Sequence, residues 1–392
     1  MLLRIFIILI VLTVGPTVFL TWRFGKVLDT AWKKVAAFLP TILLPAIGIW
    51  FVTNRVYTPE EYHAVGLVTI IALTWTAIVV VLATGCIAGL VLRRIPHIEK
   101  LLIGLSIAAC ILLAGISSYG YIRGIYHLQT THDELTIDDL PPSFEGYRLL
   151  FFSDFHLGTY AGKTAFPHQV IDEIIKQNAD IILFGGDLIN YDTKEIDNYI
   201  TELKRLKAPD GVYAIMGNHD YQVHRKWDSK TAQTRSVTKL EEILQSANWH
   251  LLLNESAIIK REQDSIAIVG VENDGKPPFP ELGDLRKALQ NVPDSLRERP
   301  FMKILLTHDP THWRRKVLPE TDIQLTLSGH THACQLQIGS YSPAAGIYKE
   351  WGGLYEEQGR RLFVSKGIGQ ALLNMRIGAW PEINVITLHC KK

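Results

Sequence analysis

The chain has 392 residues, a formal net charge of +1, 47% hydrophobic residues and 20% charged ones. That apolar content excludes a disordered polyelectrolyte, and the near-neutral balance excludes a basic nucleic-acid binder. Four cysteines are too few for a disulfide framework.

The mean hydropathy of +0.12 averages two unlike parts. Four long uncharged stretches open the chain: Ile5–Trp22, Val35–Thr53, Ala64–Leu92 and Leu101–Ile122. Each reaches the roughly 20 helical residues that cross a hydrocarbon core. Trp22, Trp50, Tyr119 and Tyr121 lie near their ends, as interfacial aromatics do. Pro16, Pro40 and Pro45 interrupt two of them, which membrane helices tolerate. No small-x-small cleavage site follows the first stretch, so it reads as an uncleaved helix. The spans hold no Asp, Glu, Lys or Arg, which weakens a transporter reading.

Loop charges suggest an orientation. Arg23, Lys26, Lys33, Lys34, Arg93, Arg94 and Lys100 fall on one side of the spans. Arg4, Arg55 and Arg123 fall on the other, with Glu60 and Glu61. The positive-inside rule puts the first and third loops in the cytoplasm. Both termini, and the globular part, are then expected outside it. Residues 1–129 hold ten of the 40 Lys/Arg and four of the 39 Asp/Glu, leaving 30 and 35 beyond. The globular part is thus net acidic, and no nucleic-acid partner is expected.

We read 1–125 as a four-helix transmembrane region, 126–146 as a linker with Pro141-Pro142, and 147–392 as a globular domain. Strand-like runs follow at Leu149–Ser153, Ile181–Gly185, Val212–Met216, Ala257–Lys260, Ser265–Val271, Ile304–Leu306, Gln324–Leu327, Arg361–Ser365 and Ile383–Leu388. Helical spacing occurs at Gln169–Ile175, Ile196–Leu206 and Asp284–Gln290. The mix predicts an α/β protein, a two-sheet sandwich with outer helices.

Most of the apolar runs that matter stop at a block of metal-ligand type. In order these are Asp154-Phe155-His156, Gly186-Asp187, Gly217-Asn218-His219-Asp220, Thr307-His308 and Gly329-His330-Thr331-His332. Strand ends on one edge of a sheet are where such folds gather a site. Asp/Asn and His together suit a two-metal hydrolytic centre, in which the ions lower the pKa of a bridging water to give hydroxide. Mixed imidazole and carboxylate donors suit Mn, Fe, Zn or Ni rather than Mg or Ca.

The five ordered blocks resemble the calcineurin-like metallophosphoesterases, whose pattern runs D-x-H, GD, GNH with D or E, H, and G-H-x-H. The resemblance implies a four-layer αββα sandwich and two divalent metal ions, with Mn favoured. Asp154, His156 and His332 would bind one ion; Asn218, His308 and His330 the other; Asp187 would bridge them. His219 would protonate the leaving group or stabilise the phosphate. Asp220 would orient that imidazole, or it caps the next helix. His168, His224, His250 and His312 match no block and read as structural or surface residues. Asn190 either touches the site or serves a turn. Ala333 and Cys334 stand where relatives often have two glycines, so Cys334 is either a small buried thiol or a reactive one beside the metals.

Tyr221–Arg235 reads as a basic loop, either solvated or facing substrate. The ending Gly367-Ile368-Gly369 through Trp380-Pro381-Glu382 is similar to a membrane-anchored bacterial phosphodiesterase branch. Leu372, Leu373, Met375, Ile377 and Trp380 surround Arg376 in an apolar run. It either packs under the sandwich or forms a lip for acyl chains, with Arg376 meeting a phosphate. The expected function is a membrane-anchored phosphoesterase, a phosphodiesterase in kind, cleaving a phosphate ester by attack of a metal-bridging hydroxide. A lipid-linked substrate is a candidate partner, alongside membrane lipids. The alternatives are a lipid-nucleotide pyrophosphatase of the UDP-diacylglucosamine hydrolase type, a non-catalytic membrane scaffold, and a membrane sensor whose bundle gates the enzyme.

Overall fold

A computed structural model describes residues 2–54, 59–160, 163–277, 279–290, 292–293, 301–371 and 373–391. Arg55 of the loop-charge count and Leu372 of the apolar run lie outside them. The chain divides into a helical unit, Met1–Gly124 with Leu372–Met375, and a second unit, Ile125–Ala371 with Arg376–Lys392.

In the helical unit the four apolar stretches become α1 (Leu2–Arg23), α2 (Ala31–Asn54), α3 (Pro59–Val91) and α4 (Ile98–Ile122). All four are long and apolar enough to cross a membrane. Small residues let the helices approach: a Cβ on Gly48 would lie 2.2 Å from the Phe6 ring. Hydroxyls bond between helices, Thr17 Oγ1 with Thr41 Oγ1 at 3.0 Å, while Trp75 Nε1 donates to Thr41 Oγ1 at 3.1 Å. Arg23, ending α1, pairs with Glu99 in the first turn of α4. Asn374, counted with this unit, donates from Nδ2 to the His63 carbonyl at 3.1 Å.

The second unit holds two six-stranded sheets. The first sheet has the order β1-β12-β2-β3-β4-β5. Its strands are β1 (Gln129–Ile137), β2 (Tyr147–Phe152), β3 (Ile181–Phe184), β4 (Val212–Ala214), β5 (Trp249–Leu251) and β12 (Glu382–Cys390). The other has the order β10-β11-β9-β8-β7-β6. It contains β6 (Glu255–Arg261), β7 (Asp264–Gly270), β8 (Lys303–Leu306), β9 (Leu325–Ser328), β10 (Gly353–Glu357) and β11 (Arg360–Val364).

Period-two alternation explains the layering. Leu149 and Phe151 of β2, with Leu183 of β3, meet Ile304 and Leu306 of β8 in the core between sheets. Leu150, Phe152 and Phe184 point the other way, under α5 (Ala165–Lys176), α6 (Ile200–Leu203) and α7 (Lys230–Ser246). Leu305 of β8 and Trp313 pack with α8 (Leu285–Gln290) on the far face. Both faces of these strands are buried, so they read as continuous apolar runs. Each such side chain is worth about 1.5–3 kcal/mol buried, so a one-residue slip in register is strongly disfavoured. The layers are the expected αββα.

Three expectations need correction. The region read as the linker 126–146 contains β1, which pairs in parallel with β12 from Gln129↔Glu382 to Ile137↔Cys390. Its polar Gln-Thr-Thr-His-Asp-Glu sequence hid the strand, because β1 sits at the sheet edge and buries little of its first half. Ile196–Leu206 is a 3-10 turn, Thr193–Ile196, followed by the short α6. The basic loop Tyr221–Arg235 ends at Ser229, whose hydroxyl accepts from Ala232 N at 3.1 Å and caps α7.

Candidate metal centre

Every ligand block follows the C-terminal end of a parallel strand. Asp154 and His156 leave β2, Asp187 leaves β3, and Asn218 through Asp220 follow β4. His308 leaves β8, and His330 with His332 leave β9. The two sheets therefore bring their carboxyl ends to one edge, where the chain must turn sharply. The turn is visible in the backbone: Asp154, His156, Asp187, His330 and His332 have φ of +52°, +47°, +60°, +72° and +50°. A non-glycine residue there costs about 1–3 kcal/mol, a strain that clusters at functional sites. Bonds across the edge hold it, including Asp154 N to Gly186 O (2.8 Å) and His156 N to Asp187 O (3.1 Å).

Glycine permits the close approach. A Cβ on Gly217 would lie 2.2 Å from Asp187 Oδ1, and one on Gly329 would lie 2.2 Å from Asp154 Oδ2.

The side chains converge in three groups that could hold a metal ion: Asp154 with His156 and His332; Asp187 with His308 and His330; and His156 with Asp187 and His219. His156 Nε2 is 3.2 Å from His332 Nε2, and His332 Nε2 is 3.3 Å from Asp154 Oδ1. His308 Nε2 lies 3.1 Å from Asp187 Oδ2 and 3.3 Å from His330 Nδ1. Asp187 Oδ2 is also 3.6 Å from His156 Nε2, so one carboxylate serves both sides. Asp154, His156 and His308 are fully buried.

The residues fit divalent cations. Asn218 Oδ1 is buried without a hydrogen-bond partner among the described residues, while Asn218 Nδ2 contacts His224 Nε2 at 3.1 Å. An orphaned amide oxygen beside imidazoles is what a hard or borderline cation takes. Against the cost of burial, His308 and His219 hold Asp187 well below the usual carboxylate range. Burial opposes charge on His308 as well, but the Asp187 carboxylate raises it to about 10. A metal ion bound in place of the His308 proton would supply the same positive charge to Asp187. Burial drives His156 down to about 3 and lowers His330, so both are neutral imidazoles ready to ligate. Cys334 belongs to none of the three groups, and burial raises its thiol.

The surrounding residues turn the ligands. His308 Nδ1 bonds Gly185 O at 2.8 Å, which aims Nε2 at Asp187. Asn190 Nδ2 contacts His156 Nδ1 at 3.2 Å, and Asn190 O accepts from His219 Nδ1 at 2.7 Å. Burial lowers His219 well below its usual value, so the ring is neutral with its proton at Nδ1.

Two role assignments change. Asp220 does not orient His219. Its carboxylate accepts backbone N–H bonds from Asp187 (2.7 Å), Leu188 (2.9 Å), Ile189 (3.3 Å) and Gly217 (2.9 Å), and so it clamps the two loops that carry Asp187 and Asn218. Arg376 cannot meet a phosphate, because it is fully buried. Its guanidinium donates to Gly369 O (2.6 Å), Ala379 O (2.8 Å), Lys366 O (2.9 Å) and His332 Nδ1 (3.1 Å). Leu373, Met375, Ile377 and Trp380 are half-buried, and Trp380 stacks on His127 at 4.8 Å.

Sequence reasoning missed His224, Arg376 and Tyr348 as partners of ligands. Tyr348 Oη contacts His330 Nε2 at 3.2 Å. None lies in a block, and only their place in the fold shows their role.

A sandwich whose strand ends converge on shared carboxylate and imidazole donors is the frame of a metal-dependent hydrolase. The family model for calcineurin-like phosphoesterases matches residues 147–334. An uncharacterized metallophosphoesterase of Bacillus subtilis, YkuE, is 31% identical over 72% of this chain and 93% of its own length. A zebrafish (Danio rerio) transmembrane protein with metallophosphoesterase domain is 29% identical over 72% of this chain, which spans 62% of it. The uncharacterized Campylobacter jejuni metallophosphoesterase Cj0846 is 25% identical over 98% of this chain and 89% of its own length. The chain belongs to the calcineurin-like phosphoesterases, with four helices of membrane-spanning length before the catalytic unit.

Proposed function

We propose that this protein is a binuclear phosphodiesterase that works on the outer side of a membrane, on a substrate presented by lipid. The observation that carries the binuclear reading is the shared Asp187, within 3.1 Å of His308 and 3.6 Å of His156. In this reading Asp154, His156 and His332 hold one ion, Asn218, His308 and His330 the other, and Asp187 both. Mixed imidazole and carboxylate donors suit Mn, Fe, Zn or Ni, and the family resemblance favours manganese. Bound there, the ions would supply acidity to a water and draw charge from the phosphate oxygens.

The chain's own groups do the rest. Asp187 Oδ1 accepts His219 N at 2.8 Å, which seats the His219 ring at the edge of both ligand groups. With Nδ1–H held by Asn190 O, Nε2 is the atom left to face substrate. A phosphate anion beside Nε2 favours the protonated ring, which then gives that proton to the leaving oxygen. Strand-end glycines and the Asp220 clamp keep these groups from relaxing. A lipid-linked substrate is supported by the four helices, which a soluble small phosphate would not require. The extracytoplasmic side is supported by the loop cations.

Purified full-length protein, loaded in turn with Mn, Zn or Ni, tests the reading against an aryl phosphomonoester, an aryl phosphodiester and a pyrophosphate. Diester hydrolysis that exceeds the others is expected. Turnover of the pyrophosphate alone would overturn the diester assignment, and no turnover with any metal would overturn the enzyme.

A further inference from the structure

Between the last two ligands and β10 runs an unusual segment. From Ala333 to Tyr348 there is no Asp, Glu, Lys or Arg in 16 residues. A run of that length in a chain one-fifth charged would hold about three. Absence of charge normally means burial, yet Ile338, Tyr341 and Ile347 are 70%, 65% and 69% exposed. Pro343, Ala345 and Gly346 between them are exposed as well. Leaving one large apolar side chain in water forgoes about 1.5–3 kcal/mol, and here three share one loop.

The loop is built, not slack. Ile338 and Tyr341 form a bridge that turns at Gly339 (φ +59°) and Ser340. Ser342 is buried; its Oγ donates to Ala333 O at 2.6 Å and accepts from Ala344 N at 3.1 Å. Gln337 N donates to Ile377 O at 2.8 Å, and Tyr348 N donates to Ala344 O at 2.8 Å. A firm base thus carries an apolar tip.

We propose that this tip, Ile338–Ile347, inserts into the headgroup–acyl boundary of the bilayer that the protein's own helices cross. The covalent tether argues for a bilayer over a protein partner. Only six residues separate Ile122, the end of α4, from Gln129, the start of β1. Fully extended they span about 20 Å at most. The catalytic unit cannot leave the membrane surface, and an uncharged loop with an amphipathic Tyr suits that surface. The insertion stands apart from the proposed reaction. Its consequence rests on that reading: Tyr348, at the base of the loop, touches the ligand His330, so a headgroup phosphate gathered by the tip arrives beside Asn218, His308 and His330.

The test uses full-length protein in vesicles of phosphatidylcholine and phosphatidylglycerol, with Cys86, Cys110, Cys334 and Cys390 replaced by Ala. Ser340→Cys carries a nitrobenzoxadiazole probe; Lys239→Cys, half-exposed on α7, is the reference. At position 340 we expect blue-shifted emission, quenching by acyl-chain doxyl lipid, and iodide quenching several-fold weaker than at 239. Ile338→Asp/Ile347→Asp should abolish the shift and leave metal content and aryl phosphodiester hydrolysis unchanged. Iodide access at 340 equal to that at 239 would overturn the proposal. So would shielding that follows the protein-to-lipid ratio, which marks a second copy of the chain. Insertion without hydrolysis would keep this proposal and remove the enzymatic one.

Discussion

Asp187 sits where both ligand groups meet, and its removal should be felt by both. Asp187→Ala is expected to lose two metal equivalents and hydrolysis together, whereas Asn218→Ala should lose mainly one. Elemental analysis of the purified variants distinguishes them; full activity in Asp187→Ala would end the binuclear reading. Arg376 acts at one remove. Its guanidinium, 3.1 Å from His332 Nδ1, holds the ring with Nε2 toward Asp154 and His156. Arg376→Met would strand the carbonyls of Gly369, Lys366 and Ala379 in a dry interior, at about 3 kcal/mol or more. The thermal midpoint should fall by several degrees, and metal should be lost preferentially from the His332 side. An unchanged midpoint would mean that water replaces the guanidinium.

At the scale of elements, the turn after β8 is tied to the loop after β7 through His312. Its Nδ1 bonds Thr307 Oγ1 at 2.9 Å, and Nε2 faces Asp274 Oδ2 at 3.7 Å. Arg315 and Lys316 also hold Asp274. Burial pushes His312 from 6.5 down to about 4, which outweighs the Asp274 carboxylate. The unfolded chain therefore binds the extra proton first, and stability falls as pH drops from 6.5 toward 4. His312→Asn should flatten that fall by up to about 1.4 kcal/mol per pH unit, read as a smaller drop in thermal midpoint from pH 6.5 to 5. An identical drop would show that His312 titrates normally.

The same elements show what sequence can reveal. Strands β2, β3, β8 and β9 were legible because burial on both faces forces apolar runs, and their ends because ligands must follow them. Edge strand β1 was not, since a strand paired on one side tolerates polar residues. The residues that converge at the candidate metal centre were legible as an ordered set. The supports were not: Asp220 clamps backbone, and His224, Asn190 and Arg376 reach ligands across distances in sequence that no local pattern encodes. Ala333 and Cys334 are instructive in another way. Their φ of +50° and +48° shows why glycine suits positions after His332, and this chain accepts the strain instead.

For the whole molecule, the side of the membrane decides which substrates are within reach. Helices α1 to α4 are even in number, so the residues before α1 and those after α4 share a side. The first and third connections carry Arg23, Lys26, Lys33, Lys34, Arg93, Arg94 and Lys100, and cationic loops resist translocation. One of these, Arg23, pairs with Glu99, but acidic residues weigh little in that rule, so the count stands. A reporter that folds only outside the cytoplasm should be active when fused after Lys392 and inactive when fused within 93–97. The six-residue tether makes the result decisive for the enzyme as well, because the catalytic unit must stay on the side where α4 ends. The reverse pattern would place the metal centre at the cytoplasmic leaflet. Substrates made there, lipid-linked nucleotides among them, would then replace an extracytoplasmic phosphodiester as the chemistry to test.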